Sequence, residues 1–83
     1  MSDILIIQSA PIFSALSARY SDIEIWPDAD FSEGGYAYYW LVSQSDGSTR
    51  LLSYLRCRDG VCEQRTYDEA GDDLWISADP AAA

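Results

Sequence analysis

Two Asp-Gly dipeptides, Asp46-Gly47 and Asp59-Gly60, lie between runs of aromatic and aliphatic residues, and they constrain the fold more than any other feature of the chain. Asp-Gly supplies the two consecutive left-handed residues of a type I′ hairpin, so each dipeptide predicts a tight turn between antiparallel strands. From Tyr36 onward the chain should be a β-meander. A two-residue turn at Asp46-Gly47 also sets a register: Val42 opposite Leu51, Trp40 opposite Ser53, Tyr38 opposite Leu55 and Tyr36 opposite Cys57. That side is expected to be the core, with Tyr39 opposite Tyr54 and Leu41 opposite Leu52 on the other side. The second turn sets Arg65 opposite Tyr54 and Glu63 opposite Arg56, pairs suited to a cation–π contact and a surface ion pair. It also opposes Cys57 and Cys62 at a non-hydrogen-bonded position, where a disulfide is geometrically possible, although reduced core thiols are the expectation in a cytoplasmic protein.

Upstream of the meander, Asp3 to Gln8 carries apolar side chains on both strand faces and reads as a buried first strand. Ser9 then stands as a helix N-cap and Pro11 suits the first turn. Ile12, Phe13, Leu16 and Tyr20 recur at helical spacing, which predicts a helix from Ala10 to about Arg19. The alternation in Asp22 to Trp26 predicts a half-exposed strand with Ile23 and Ile25 on its inner face. Pro27 to Gly35 reads as a loop, and so does Asp68 to Asp73, which leads into a short edge strand at Leu74 to Ser77. The expected architecture is an α+β domain over residues 1–83, with one short helix packed on a mostly antiparallel sheet, a C-terminal β-meander and a frayed tail at 79–83.

Charge narrows the function classes. Fourteen Asp and Glu face five basic residues, all Arg, and the net charge is −9 with neither Lys nor His present. Without His, the usual general base and imidazole metal ligand are missing, and two Cys fall short of a structural zinc set. A domain of this size buries only ~60% of its unfolded surface, which leaves little room for an enclosed reaction chamber. The expectation is a non-enzymatic binding protein with no cofactor and no metal. The acidic loops do not match the spacing of a calcium loop. Direct nucleic-acid binding through Arg50, Arg56, Arg58 and Arg65 beside Tyr39, Tyr54 and Tyr67 is opposed by the overall field. The first residues lack the positive start of a signal peptide and no stretch approaches the ~20 apolar residues of a membrane span, so the expected compartment is the cytoplasm.

A surface this negative favours basic partners, above all proteins whose positive grooves hold nucleic acid. The expected partner-binding residues are Asp22, Glu24, Asp28, Asp30 and Glu33, then Asp68, Glu69, Asp72 and Asp73, with Trp26 and Trp75 as apolar anchors. Asp22 and Glu24, two apart in a strand, would space carboxylates by roughly 6.6 Å, close to successive phosphates. In size, acidity and expected architecture the chain looks like phage-encoded inhibitors of host defence, such as anti-CRISPR proteins and uracil-DNA glycosylase inhibitor. That resemblance is one of overall style and carries no functional residue onto these positions. The expectation from charge and spacing is a monomeric or homodimeric inhibitor, a nucleic-acid mimic, acting in the host cytoplasm if phage-encoded. The alternatives are an immunity protein that neutralises a basic nuclease toxin and an accessory subunit that binds through its edge strand.

Overall fold

The structure, a computed structural model, describes residues 3–45 and 47–78. Two short helices, α1 (Asp3–Ser9) and α2 (Pro11–Ser17), precede five strands: β1 (Ile23–Glu33), β2 (Tyr36–Ser45), β3 (Ser48–Arg58), β4 (Val61–Tyr67) and β5 (Asp73–Ser77). The strands form one antiparallel sheet in chain order, with β1 and β5 at its edges. This is an α+β fold that ends in a strand meander. Asp46 and the expected frayed tail at 79–83 lie outside the described residues.

The segment expected as a first strand is helix α1 instead. Four consecutive apolar residues carry no period, so Ile4 to Ile7 fits a two-turn helix as well as a strand. The helix buries Ile7 completely and leaves Leu5 58% exposed, which a strand buried on both faces would not do. Pro11 then divides what would be one helix into two, because its ring disfavours helical backbone at the preceding residue. Ala10 is accordingly extended, at φ −73° and ψ 145°, and it occupies the N-cap of α2 that Ser9 was expected to fill. The Ser9 hydroxyl donates back to the carbonyl of Leu5.

The loop expected from Pro27 to Gly35 is mostly the second half of β1. Gly34 and Gly35 both adopt positive φ, at 63° and 79°, and turn the chain directly from Glu33 into Tyr36. Pairing with β2 is interrupted, however: Pro27 faces Tyr39 and the next pair is Ser32 with Ala37. Pro27 has no N–H to offer the ladder, and the extra residues 28–31 arch out of the sheet.

The β2–β3 hairpin begins in the expected register, from Ser45 opposite Ser48 to Val42 opposite Leu51. There it shifts. Leu41 pairs with Ser53, so Leu52 is one extra residue in β3, a β-bulge. Past the bulge, Trp40 meets Tyr54, Tyr38 meets Arg56, Tyr39 meets Leu55 and Ala37 meets Cys57. The expected core side is therefore corrected: helices cover the face carrying Leu41, Leu55, Cys57 and Cys62, where Ile7 and Ala10 complete the buried cluster. Tyr39 also lies on that side, and its hydroxyl donates to Asp3 Oδ2 at 2.8 Å, fastening α1 to the sheet.

The second hairpin is as expected. Asp59 and Gly60 have φ values of 52° and 79°, and Arg56 opposes Glu63. Cys57 opposes Cys62, and the two are joined by a disulfide, which corrects the expectation of free thiols. Directly opposed residues of this kind bring their side chains close, so the bridge forms without moving either strand. By chain entropy alone, closing so short a loop stabilises the fold by about 2 kcal/mol. Reduction should lower the urea unfolding free energy by about that amount. Coincident unfolding curves with and without reductant, on protein shown by thiol titration to be oxidised and reduced respectively, would contradict the assignment.

Candidate functional site

The sheet face away from the helices carries a connected group of aromatic rings. Tyr38 and Tyr54 stack with centroids 5.6 Å apart, Trp40 lies 4.2 Å from Tyr54, and Phe31 meets Tyr38 edge-on at 4.7 Å. Trp75, on β5, reaches Tyr38 at 6.0 Å and Tyr54 at 6.1 Å. Arginines from β3 and β4 lie on these rings. Arg56 sits over Tyr36 at 4.2 Å and Trp75 at 4.3 Å, Arg58 over Tyr36 at 4.4 Å, and Arg65 over Tyr54 at 4.9 Å. Each contact places a cation on the negative face of a ring. The expected Arg65–Tyr54 contact is thus formed.

The arch of β1 turns this surface into a cleft. Released from pairing, residues 28–31 cross over β2, so that Phe31 rests on Tyr38 and Asp28 Oδ2 accepts from the hydroxyl of Tyr54 on β3 at 2.9 Å. The resulting cleft has a volume of about 400 Å³, with Asp28, Phe31 and Glu33 on the β1 side and Asp73 and Trp75 on the β5 side. Arg56 forms an ion pair with Glu63 at 2.9 Å. Burial is the largest single influence and works against its charge, but the hydrogen bonds to Glu63 and Tyr38 and the attraction of Glu63 together outweigh it and hold its pKa above the usual guanidinium value.

The expected partner-binding residues separate into groups. Asp28, Glu33, Asp73 and Trp75 all line the cleft. Glu24 and Trp26 lie on the same sheet face, since they pair with Val42 and Trp40, and the Trp26 indole donates to Glu24 Oε1 at 2.8 Å. Asp30 is exposed on the arch. Asp22 precedes the strand in a left-handed conformation, φ 53°, so it does not form the regular strand pair with Glu24 that phosphate-like spacing requires. Asp68 caps its own turn, accepting from the amides of Ala70 and Asp72, while Glu69 and Asp72 are exposed. The expected partner-binding set did not include Phe31, Tyr38, Trp40, Tyr54, Arg56 and Arg65, which also line the cleft. The alternation that placed Tyr38 and Trp40 together was visible, but only the bulge decides which side that is.

Asp3 lies within 4.8 Å of the sulfurs of Cys57 and Cys62, yet those sulfurs are bonded to one another and offer no thiolate ligands. Comparison with known proteins found no similar family, no similar curated protein and no similar solved structure. What the cleft can do chemically follows from its walls: aromatic faces, two guanidinium groups already in place and carboxylates on both sides.

Burial, reinforced by hydrogen bonds to Asp28 and Asp3, pushes the Tyr54 and Tyr39 phenols up to about 12 from 10.0. Folding therefore favours the neutral phenol at both positions. Their contribution to stability is complete below pH 10.0 and is lost as pH rises toward 12. An absorbance titration should show two of the six tyrosines ionising last. Asp28→Asn should bring one of them down, whereas a titration unchanged by that substitution would contradict the Tyr54–Asp28 bond.

Proposed function

We propose that the chain is a non-enzymatic acidic binding protein, an inhibitor that occupies the basic nucleic-acid-binding surface of a target protein complex, as phage-encoded anti-defence proteins do. One observation carries this reading: most of its negative charge is not neutralised within the fold. Among the described residues the only ion pair joins Arg56 to Glu63. Asp30, Glu33, Glu69, Asp72 and Asp73 are exposed, and none makes a side-chain hydrogen bond to another described residue. Such carboxylates raise the on-rate for a basic partner and exclude anionic ones. Exposed or half-exposed rings beside them, Trp26, Phe31 and Trp75, supply the apolar contact that dominates binding energy at interfaces.

Among the described residues no helix is long and apolar enough to cross a membrane. The reading locates the protein in the cytoplasm, that of the host if it is phage-encoded. There the thiol pool would open the Cys57–Cys62 bond, leaving two buried cysteines in the core. An accessory role through edge-strand addition has one supporting observation: β5 is an edge, and Leu74 and Ile76 on it are 44% and 42% exposed.

Salt distinguishes these readings. Immobilised protein should capture a nucleic-acid-binding protein at low salt, lose it about tenfold or more at high salt, and displace nucleic acid from it. Replacing Asp30, Glu33, Glu69 and Asp72 with their amides should weaken capture comparably and leave thermal unfolding unchanged. Salt-insensitive capture, or a ternary complex that retains the nucleic acid, would contradict the proposal and favour edge pairing.

A further inference from the structure

We infer that the cleft between β1 and β5 receives an arginine side chain of the partner; this deepens the proposed function and rests on it. The two walls together present a surplus of negative charge. Asp28, Glu33 and Asp73 line the cleft with Arg56 and Arg65, and Arg56 is already neutralised by Glu63 at 2.9 Å. An anionic guest would meet those carboxylates inside a chain of net charge −9. A purely apolar guest would leave Glu33 and Asp73 to be covered without a partner, which is costly. A cationic guest with a flat, weakly hydrated face meets neither penalty.

Guanidinium fits better than ammonium for a reason visible in the fold itself. This face already holds three arginines by stacking, with ring distances between 4.2 and 4.9 Å. The exposed Phe31 ring and the half-buried Trp40 and Trp75 rings line the cleft over a buried Tyr38 and offer the same mode, and only a planar fork can lie on a ring while donating to carboxylates at its edge. At about 400 Å³ the cleft has the capacity of a small-ligand site, enough for one long side chain with its flanking backbone. Asp28 holds one wall in place through Tyr54, leaving Glu33 and Asp73 as the exposed carboxylates that would reach the guest. Proteins that grip phosphate backbones present arginines of this kind, so the cleft would engage the side chains the target normally uses on nucleic acid.

The test uses the intact chain and a blocked Gly-Ser peptide carrying three arginines, with lysine and citrulline counterparts, followed by NMR through the backbone amides and indole N–H groups. The arginine peptide should shift the Trp75 and Trp40 indole signals saturably, bind about threefold more tightly than the lysine peptide and at least about tenfold more tightly than the citrulline one. Glu33→Gln/Asp73→Asn should weaken it about fivefold or more, and Glu69→Gln/Asp72→Asn less than about twofold. If the shifts cluster at the β4–β5 turn, or both double variants weaken binding equally, the cleft is not the site, although charge-led binding of basic partners survives. If none of the peptides binds, both this inference and the proposed function fall.

Discussion

One extra residue in β3 determines which side of this sheet is the core. Up to Val42 and Leu51 the first long hairpin keeps the register its two-residue turn imposes, and at Leu52 the count shifts by one. Because strand side chains alternate with period two, a shift of one residue exchanges every partner beyond it between faces. The result sorts the sequence by chemistry. Leu55 and Cys57 join Tyr39 and Leu41 under the helices, and Tyr54 and Arg56 join Trp40 and Tyr38 on the opposite face. Without the bulge, Trp40 and Tyr38 would share a face with Ser53, Leu55 and Cys57, and neither the helix-packed core nor the aromatic face would be continuous.

A second irregularity gives that aromatic face its depth. The β1 arch, released at Pro27, carries Asp28 and Phe31 over β2 to reach Tyr54 and Tyr38. The hydrogen bond from Tyr54 to Asp28 links strands that are not neighbours in the sheet. An acidic, arginine-bearing aromatic cleft therefore exists because two strands depart from ideal pairing at defined points. Such departures recur where a fold positions a functional surface. The opposite face is closed by α1 and α2, whose Ile7 and Ala10 pack with Leu41, Leu55, Cys57 and Cys62.

Much of this was legible in the residues. Asp59-Gly60 set the second hairpin, the Arg56–Glu63 pair and the opposition of the cysteines, and Asp46-Gly47 set the near end of the first hairpin. The short edge strand β5 followed from Leu74 to Ser77. What was not legible has physical causes. A run such as Ile4 to Ile7 has no period, and only its tertiary neighbours decide between helix and strand. Gly34-Gly35 was a turn signal of the same kind as Asp-Gly, but acids and Pro27 nearby made the whole stretch resemble a loop. The bulge left no mark, because Leu52 is a good strand residue in either register. Four of the expected contact residues, Asp28, Glu33, Asp73 and Trp75, came together from two distant segments, while Tyr38 and Trp40 in the floor between them were assigned to the core side.

The most direct measurement is the set of nuclear Overhauser contacts made by the Trp40 ring. The bulged register predicts contacts from Trp40 to the Tyr54 ring and the Arg65 side chain, 5.8 Å from its guanidinium carbon to the indole centroid, and none to Ile7 or Leu16 of the helices. Contacts from Trp40 to Ile7 or Leu16 would place it in the core, remove the cleft and contradict the account.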